Sequence, residues 1–304
     1  MAKTLYLPSE FLRANNLLVT REQYTESLMN FMLLEGKLPT YKDTIKSSVK
    51  RTCELSNKDI PIAIDDYSSA ELEQNTIAYF FISGFITADS WWCFSSKQFE
   101  SEIKAADANP NISVHFLHIS SGGGEGWYLD RLSETLKSLT KPIYVLIEKL
   151  CASAAYYIGC HGTKVMAMTQ NDLIGCIGVM TQVMDPSKFF ENMGIKIFDL
   201  YADQSDLKNK KYNDIIKGKP EQYISEELNP MAIQFINEVR SSRSPFSELK
   251  DNDPILRGET YMANIAKENG LIDGIITLED ALNDAYQIGL NSNSKGKIYT
   301  IFNN

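Results

Sequence analysis

The feature that most constrains this chain is the alternation of apolar runs that begins at Thr76. Thr76–Ile82 is a dense apolar and aromatic run closed by Gly84, the pattern of a buried strand. Phe94–Ala106 has helical spacing, with Phe99 and Ile103 on one face. A second strand, Ser113–Ile119, runs into Ser120-Ser121-Gly122-Gly123-Gly124. A helix over Trp127–Leu139, a strand over Pro142–Ile147, a helical stretch over Ser153–Cys160 and a short strand over Lys164–Met168 follow. Strands separated by helices need crossover connections, so the expected fold is α/β, with repeated βαβ units and a mostly parallel sheet.

Composition sets the limits around that core. The 304 residues are 43% hydrophobic and 23% charged, enough apolar material for one large domain. Residues 1–70 are polar, with Leu28, Met29, Phe31 and Met32 scattered among charges. They are predicted to form a helical N-terminal arm before a main domain over 71–290 and a loose tail over 291–304. Lys and Arg number 30 against 39 Asp and Glu, a net charge of −9 that attracts no phosphate backbone. No nucleic-acid partner is expected. The longest apolar run, Ile77–Ile86, is interrupted by Ser83 and Gly84 and has about half the length a bilayer span needs. The opening MAKTLYLPSEF has no continuous apolar h-region. The expectation is a cytoplasmic protein without a membrane anchor. The five cysteines form no CxxC pair, so neither a disulfide framework nor a metal knuckle is indicated, and no cofactor is expected.

Three segments carry chemistry. In the first, ISSGGGEG ends a strand, and consecutive glycines let backbone amides approach a ligand or a developing oxyanion. The bland alternative is a tight turn between strand and helix. The second is Cys151-Ala152-Ser153-Ala154-Ala155-Tyr156-Tyr157, with Ser153 where a helix should start. A serine there is ordinarily an N-cap. The functional alternative is a nucleophile favoured by nearby amides. The third is Gly175-Cys176-Ile177-Gly178-Val179, followed downstream by Asp203–Lys211 with Lys208, Lys210 and Lys211. Such a lysine run is normally a solvated face, although a desolvated lysine can serve as a general base.

In this order the segments resemble the signal peptide peptidase A family of serine proteases, within the Clp protease/crotonase superfamily. SSGGG is similar to the family's Ser-Pro-Gly-Gly turn, and CASAAYYIGC to its Ala-Ser-Gly-Gly-Tyr-Tyr nucleophile segment. DLIGCIGVMTQ resembles its Gly-Ser-Ile-Gly-Val stretch, and Gly270-Leu271-Ile272-Asp273 its closing Gly-Leu-Val-Asp. The resemblance covers about residues 71–288. It implies a Clp protease/crotonase-like fold and a Ser-Lys dyad, with Ser153 as nucleophile and Lys208 as base. Lys210 is the runner-up. It further implies an oxyanion hole from Gly122, Gly123 and an amide near Ala154, and a lysine-orienting position at Cys176. The family has serine at that position and a proline where Ser121 stands here.

The implied partner is a polypeptide substrate, with rings of identical subunits whose interfaces complete the active sites. Loops with a Lys-Asn pair, like Lys208-Asn209, resemble the phage prohead branch, which processes scaffold and capsid proteins; a cytosolic bacterial peptidase is the neighbouring expectation. A Clp-type triad would need a histidine near Gly178, and there is none. His161 lies just past the nucleophile segment, poorly placed to face Ser153; His115 and His118 precede the glycines on their strand, where His118 could approach the site, although a buried structural role is favoured for both. Two other readings remain. One is an inactive scaffold or assembly subunit with the same fold. The other is a crotonase-like acyl-CoA enzyme using Glu125 and Glu148 as its acid–base pair.

Overall fold

A computed structural model of the chain describes residues 17–19, 60–90, 93–183 and 185–302, those at 17–19 and 293–302 through their backbone. Most of the predicted helical arm, and Cys53, lie outside these residues. Of its described residues, Leu17–Val19 form strand β1 and Ile62–Ala63 strand β2, and the rest of 60–70 is turns and irregular backbone.

The remaining strands are β3 (Thr76–Thr87), β4 (Phe94–Ser95), β5 (Ile112–Glu125), β6 (Ile143–Ala152), β7 (Lys164–Ala167), β8 (Leu173–Gly175), β9 (Thr260–Met262) and β10 (Gly274–Ile275). The spine of the sheet runs β10-β7-β6-β5-β3-β2, and every neighbouring pair along it is parallel. β4 extends β3 in parallel, and β8 extends the β6 edge in parallel. Two pairings are antiparallel: β1 with β5 and β9 with β8. The mostly parallel α/β sheet is therefore present as expected.

The α-helices of six residues or more are α1 (Ser96–Ala108), α2 (Leu129–Ser138), α3 (Ala154–Gly159), α4 (Ser187–Asn192), α5 (Lys210–Ile216), α6 (Asn229–Ser242), α7 (Ala263–Glu268) and α8 (Leu278–Phe302). α1 starts two residues later than its apolar spacing suggests because the Ser95 hydroxyl caps it, accepting from Gln98 N at 3.2 Å. α8 runs through Phe302, where the sequence suggested a loose tail from residue 291.

Parallel strands must be covered on both faces, and the strand residues divide accordingly. On one face Leu117, Ile119, Val145 and Ile147 pack with Phe99 and Ile103 of α1, Leu132 of α2, Tyr156 of α3 and Phe235 of α6. On the other, Tyr79, Phe116, Tyr144 and Leu146 meet Ala281, Leu282 and Ala285 of α8. Three aromatic rings on adjacent strands stack there: Tyr79 on Phe116 at 5.4 Å and Phe116 on Tyr144 at 5.4 Å. The small alanines of α8 let the helix settle on this flat aromatic layer.

The strands outrun their apolar stretches. β3 continues through Gly84 to Thr87, and β5 continues through all three glycines to Glu125. The glycine run is thus not a tight turn but an extended strand end, a correction to the turn expected from sequence. Its reason is close approach. A Cβ on Gly124 would stand 1.9 Å from the Ile86 carbonyl oxygen, so only glycine lets β5 lie against β3 at this point.

Candidate active site

β6 ends at Ala152, α3 begins at Ala154, and Ser153 is the hinge between them. Its backbone has φ 56° and ψ −123°, a conformation that L-residues with a Cβ avoid. Such a strand-to-helix corner costs about 1–3 kcal/mol and must be held by its surroundings. Here Ser153 N donates to Gly175 O at 2.9 Å, and Tyr157 N donates to Ser153 O at 2.9 Å. The hydroxyl does not cap α3, so the N-cap reading of this serine fails. The side chain is instead buried beside Cys176. This is the geometry of a nucleophile elbow, which presents an oxygen at the tip of a sharp turn.

Cys176 is fixed from behind. Its amide donates to Glu259 O at 2.6 Å, just before β9 pairs with β8. Burial pushes its thiol up, and a hydrogen bond with the Ser153 hydroxyl pulls the other way. The structure therefore brings Ser153 and Cys176 together.

The glycine strand runs beside the end of β6: Ser121 stands opposite Cys151, the last pair between the two strands, and Gly122 and Gly123 follow it as Ala152 and Ser153 follow Cys151. Gly123 has φ 104° and its amide donates to the Ser121 hydroxyl at 3.1 Å; that hydroxyl donates to Gly84 O at 2.6 Å. An oxyanion at Gly123 would have to displace Ser121 Oγ as the acceptor. Ala154 N is the first amide of α3, one of the donors that a helix cannot satisfy internally.

The lysines lie elsewhere. Lys208 is exposed, precedes α5, and makes no side-chain hydrogen bond or ion pair among the described residues. Among the described residues no hydrogen bond joins it to Ser153. Lys210 is tied to Asp214 and, at 3.1 Å, to Gln222. Lys211 pairs with Glu226 at 2.9 Å and with Glu227, which raises its ammonium's affinity for its proton. The stretch around them is largely exposed, with Phe189, Ile197, Phe198, Leu200 and Leu207 facing outward.

The three histidines have structural surroundings. His115 is fully buried, 3.0 Å from Asp107 through Nε2, and burial lowers its imidazole. His118 meets Tyr79 Oη at 2.5 Å on the α8 face. His161 contacts Ser242 Oγ at 3.0 Å and Glu238 at 3.3 Å. The carboxylates of an acyl-CoA reading are also occupied: Glu125 accepts from Ala88 N at 2.8 Å, and Glu148 lies 3.3 Å from His118.

Sequence reasoning missed Asp172. Its buried carboxylate accepts from Lys149 N at 3.1 Å, Met168 N at 2.8 Å, Thr169 N at 2.8 Å and Thr169 Oγ1 at 2.7 Å. β6 leaves β7 after Ile147 and joins β8 at Leu150, and Lys149 takes φ 67° in between. Asp172 holds that break closed and so aims the end of β6. A Thr-x-x-Asp just before a short strand was the available signal.

Comparison with known proteins follows the same core. "Putative protease MJ0651" of Methanocaldococcus jannaschii is 27% identical over 197 residues, covering 62% of this chain and 60% of that protein. Protease 4 of Haemophilus influenzae is 26% identical over 191 residues, covering 61% of this chain and 30% of that one. The chain thus spans under two thirds of the length of each. Among solved structures, an enoyl-CoA hydratase/isomerase family member superposes with TM-score 0.40 and 14% identity, over 76% of this chain and 74% of that one. A ClpP1 mutant from Listeria monocytogenes gives 0.39 and 14%, over 67% and 94%. Residues 135–291, just over half the chain and the stretch that holds Ser153, Cys176 and Lys208, match the pattern of peptidase family S49, and the chain belongs to that family.

Proposed function

We propose that the chain is a serine endopeptidase in which Ser153 attacks the peptide carbonyl and Lys208 is the base. The observation that carries this reading is the Ser153 backbone, held at φ 56° and ψ −123° with a hydroxyl that does not cap the helix it precedes. A strained serine that does not cap its helix has been given up to another task.

In the proposed reaction, neutral Lys208 takes the Ser153 proton and Oγ bonds to the carbonyl carbon. The amides of Gly122, Gly123 and Ala154 hold the oxyanion, each donor worth ~3 kcal/mol of barrier. The C–N bond breaks as the leaving amine takes the proton from Lys208, and water then releases the acyl group by the same route. Lys208 is preferred to Lys210 and Lys211 because both of those are engaged by carboxylates, whereas a base must be unpaired. A lysine works as a base only where its amine is shielded from water. Lys208 is exposed in the single chain, so the proposed active form is a ring of copies that covers this segment through its outward apolar side chains. The Lys208-Asn209 loop supports scaffold or capsid polypeptides of a phage head as substrates.

Labelling with a serine-reactive fluorophosphonate, read by intact mass, tests the assignment. One adduct is expected, on Ser153, lost in Ser153→Ala and Lys208→Ala and kept in Lys210→Ala. Loss in Lys210→Ala with retention in Lys208→Ala moves the base by two residues. An unlabelled, assembled wild-type protein refutes the peptidase reading and favours an inactive assembly subunit.

A further inference from the structure

One edge of β5 changes neighbours beside the candidate nucleophile. Up to Ser121 that edge is covered by β6, with Ser121 opposite Cys151. Beyond it β6 turns away into Ser153 and α3, while the other edge stays on β3, with Gly124 opposite Ile86. The backbone of Gly123–Glu125 would be left with unpaired groups on the side facing Ser153, which is a template for any extended chain. β1 fills that place. It runs antiparallel, with Leu17 opposite Glu125, Leu18 opposite Gly124 and Val19 opposite Gly123.

Register gives this pairing its meaning. Gly123 and Ser153 each follow the last pair of β5 with β6, Ser121 with Cys151, and β5 carries an irregularity between Ser120 and Gly123. β1 therefore lies along β5 immediately past the strand end that leads into Ser153, with Val19 opposite Gly123. Peptides recognised by strand addition gain affinity from main-chain hydrogen bonds along a sheet edge, and an edge rich in glycine crowds them least.

We infer that residues 17–19 occupy the place of the substrate strand, making the N-terminal segment a built-in competitor for the site and a template for its substrates, extended aliphatic peptides of the Leu-Leu-Val kind. This rests on the reading of Ser153 as the nucleophile. A tethered strand competes at an effective concentration on the order of millimolar, so free peptides at micromolar levels meet a largely filled site.

The test compares rates of Ser153 labelling by a fluorophosphonate in the full chain and in Leu18→Pro and Val19→Pro. Proline cannot donate to a ladder. Both variants are needed because successive residues of an antiparallel strand alternate between bonding to the partner and facing away. At least one variant is expected to label roughly 10-fold faster, the order by which loosening a tethered competitor raises access. A synthetic peptide spanning residues 13–24 is expected to slow that variant again. Equal rates in all three proteins, with Ser153 labelled, overturn the inference and leave the nucleophile reading intact. Acceleration that the peptide does not reverse overturns the template role. No adduct on Ser153 in any protein removes the nucleophile reading, and this inference with it.

Discussion

Replacing Asp172 should separate the elbow from the scaffold that aims it. In Asp172→Ala the amides of Thr169 and Lys149 lose their buried acceptor. Met168 N keeps its second bond, to Ile147 O at 2.9 Å, so it is not orphaned. Both donors belong to exposed residues that water can reach, so each lost hydrogen bond costs about 1 kcal/mol, about 2 kcal/mol together. That corresponds to roughly a 5 °C fall in Tm for a domain of this size. Asp172→Asn keeps one acceptor oxygen and turns an NH2 toward the remaining donors, for about half the loss. Because Asp172 closes the break in β6 and Ser153 stands at the end of that strand, labelling of Ser153 should slow in both variants even at temperatures where they are fully folded. Urea unfolding followed by tryptophan fluorescence gives the first quantity, and fluorophosphonate kinetics give the second. Asp172→Ala with stability within about 0.5 kcal/mol of the parent and an unchanged labelling rate would refute the reasoning.

Burial holds the His161 imidazole down to about 4, below the ~6.5 of an unfolded chain. The unfolded chain binds that proton first, so stability should fall as pH drops below ~6.5. His161→Gln should flatten the slope seen in pH-dependent melts, and an unchanged slope would count against the assignment. Gly124→Ala must push β5 off β3, because its Cβ has a carbonyl oxygen 1.9 Å away. A loss of at least about 3 kcal/mol by thermal melting is expected. Cys176→Ser replaces a weak hydrogen-bonding partner of Ser153 with a strong one, and labelling should speed up several-fold. A slower rate would show that the thiol is not merely a poorer serine.

The elements made by local periodicity were legible in the sequence. Phe99 and Ile103 marked α1, and the apolar hearts of β3, β5 and β6 stood out as runs. What the sequence hid was pairing between distant segments. Gly122–Gly124 read as a turn because glycine is a poor strand former alone, yet β3 and β1 hold it extended from either side. Leu17–Val19 is too short to declare itself a strand, and its reason for being one lies a hundred residues away. Ser153 was visible by its place between a strand and a small-residue helix, whereas its unusual backbone is imposed by Gly175 and has no local signature. Lys208 was chosen by order along the chain, and the folded chain adds only that its neighbours are engaged and it is not.

Ser153 and the lysine segment also differ in how they are anchored. Ser153 and Cys176 are bonded to Gly175 and Glu259, and Tyr156 of the following helix donates to Leu271 O at 2.8 Å. Opening that corner would mean breaking the core. The stretch from Met180 to Gly218 is largely exposed, and the ion pairs that tie α5 to its surroundings are those of Lys211 with Glu226 and Glu227, the Lys210–Asp214 pair being internal to the helix. Local unfolding of such a stretch costs far less than global unfolding. Amide exchange should therefore be fast at Lys208 and slow at Ser153 within one folded molecule. A protein built this way holds the Ser153 corner rigid while the lysine segment can rearrange without disturbing it.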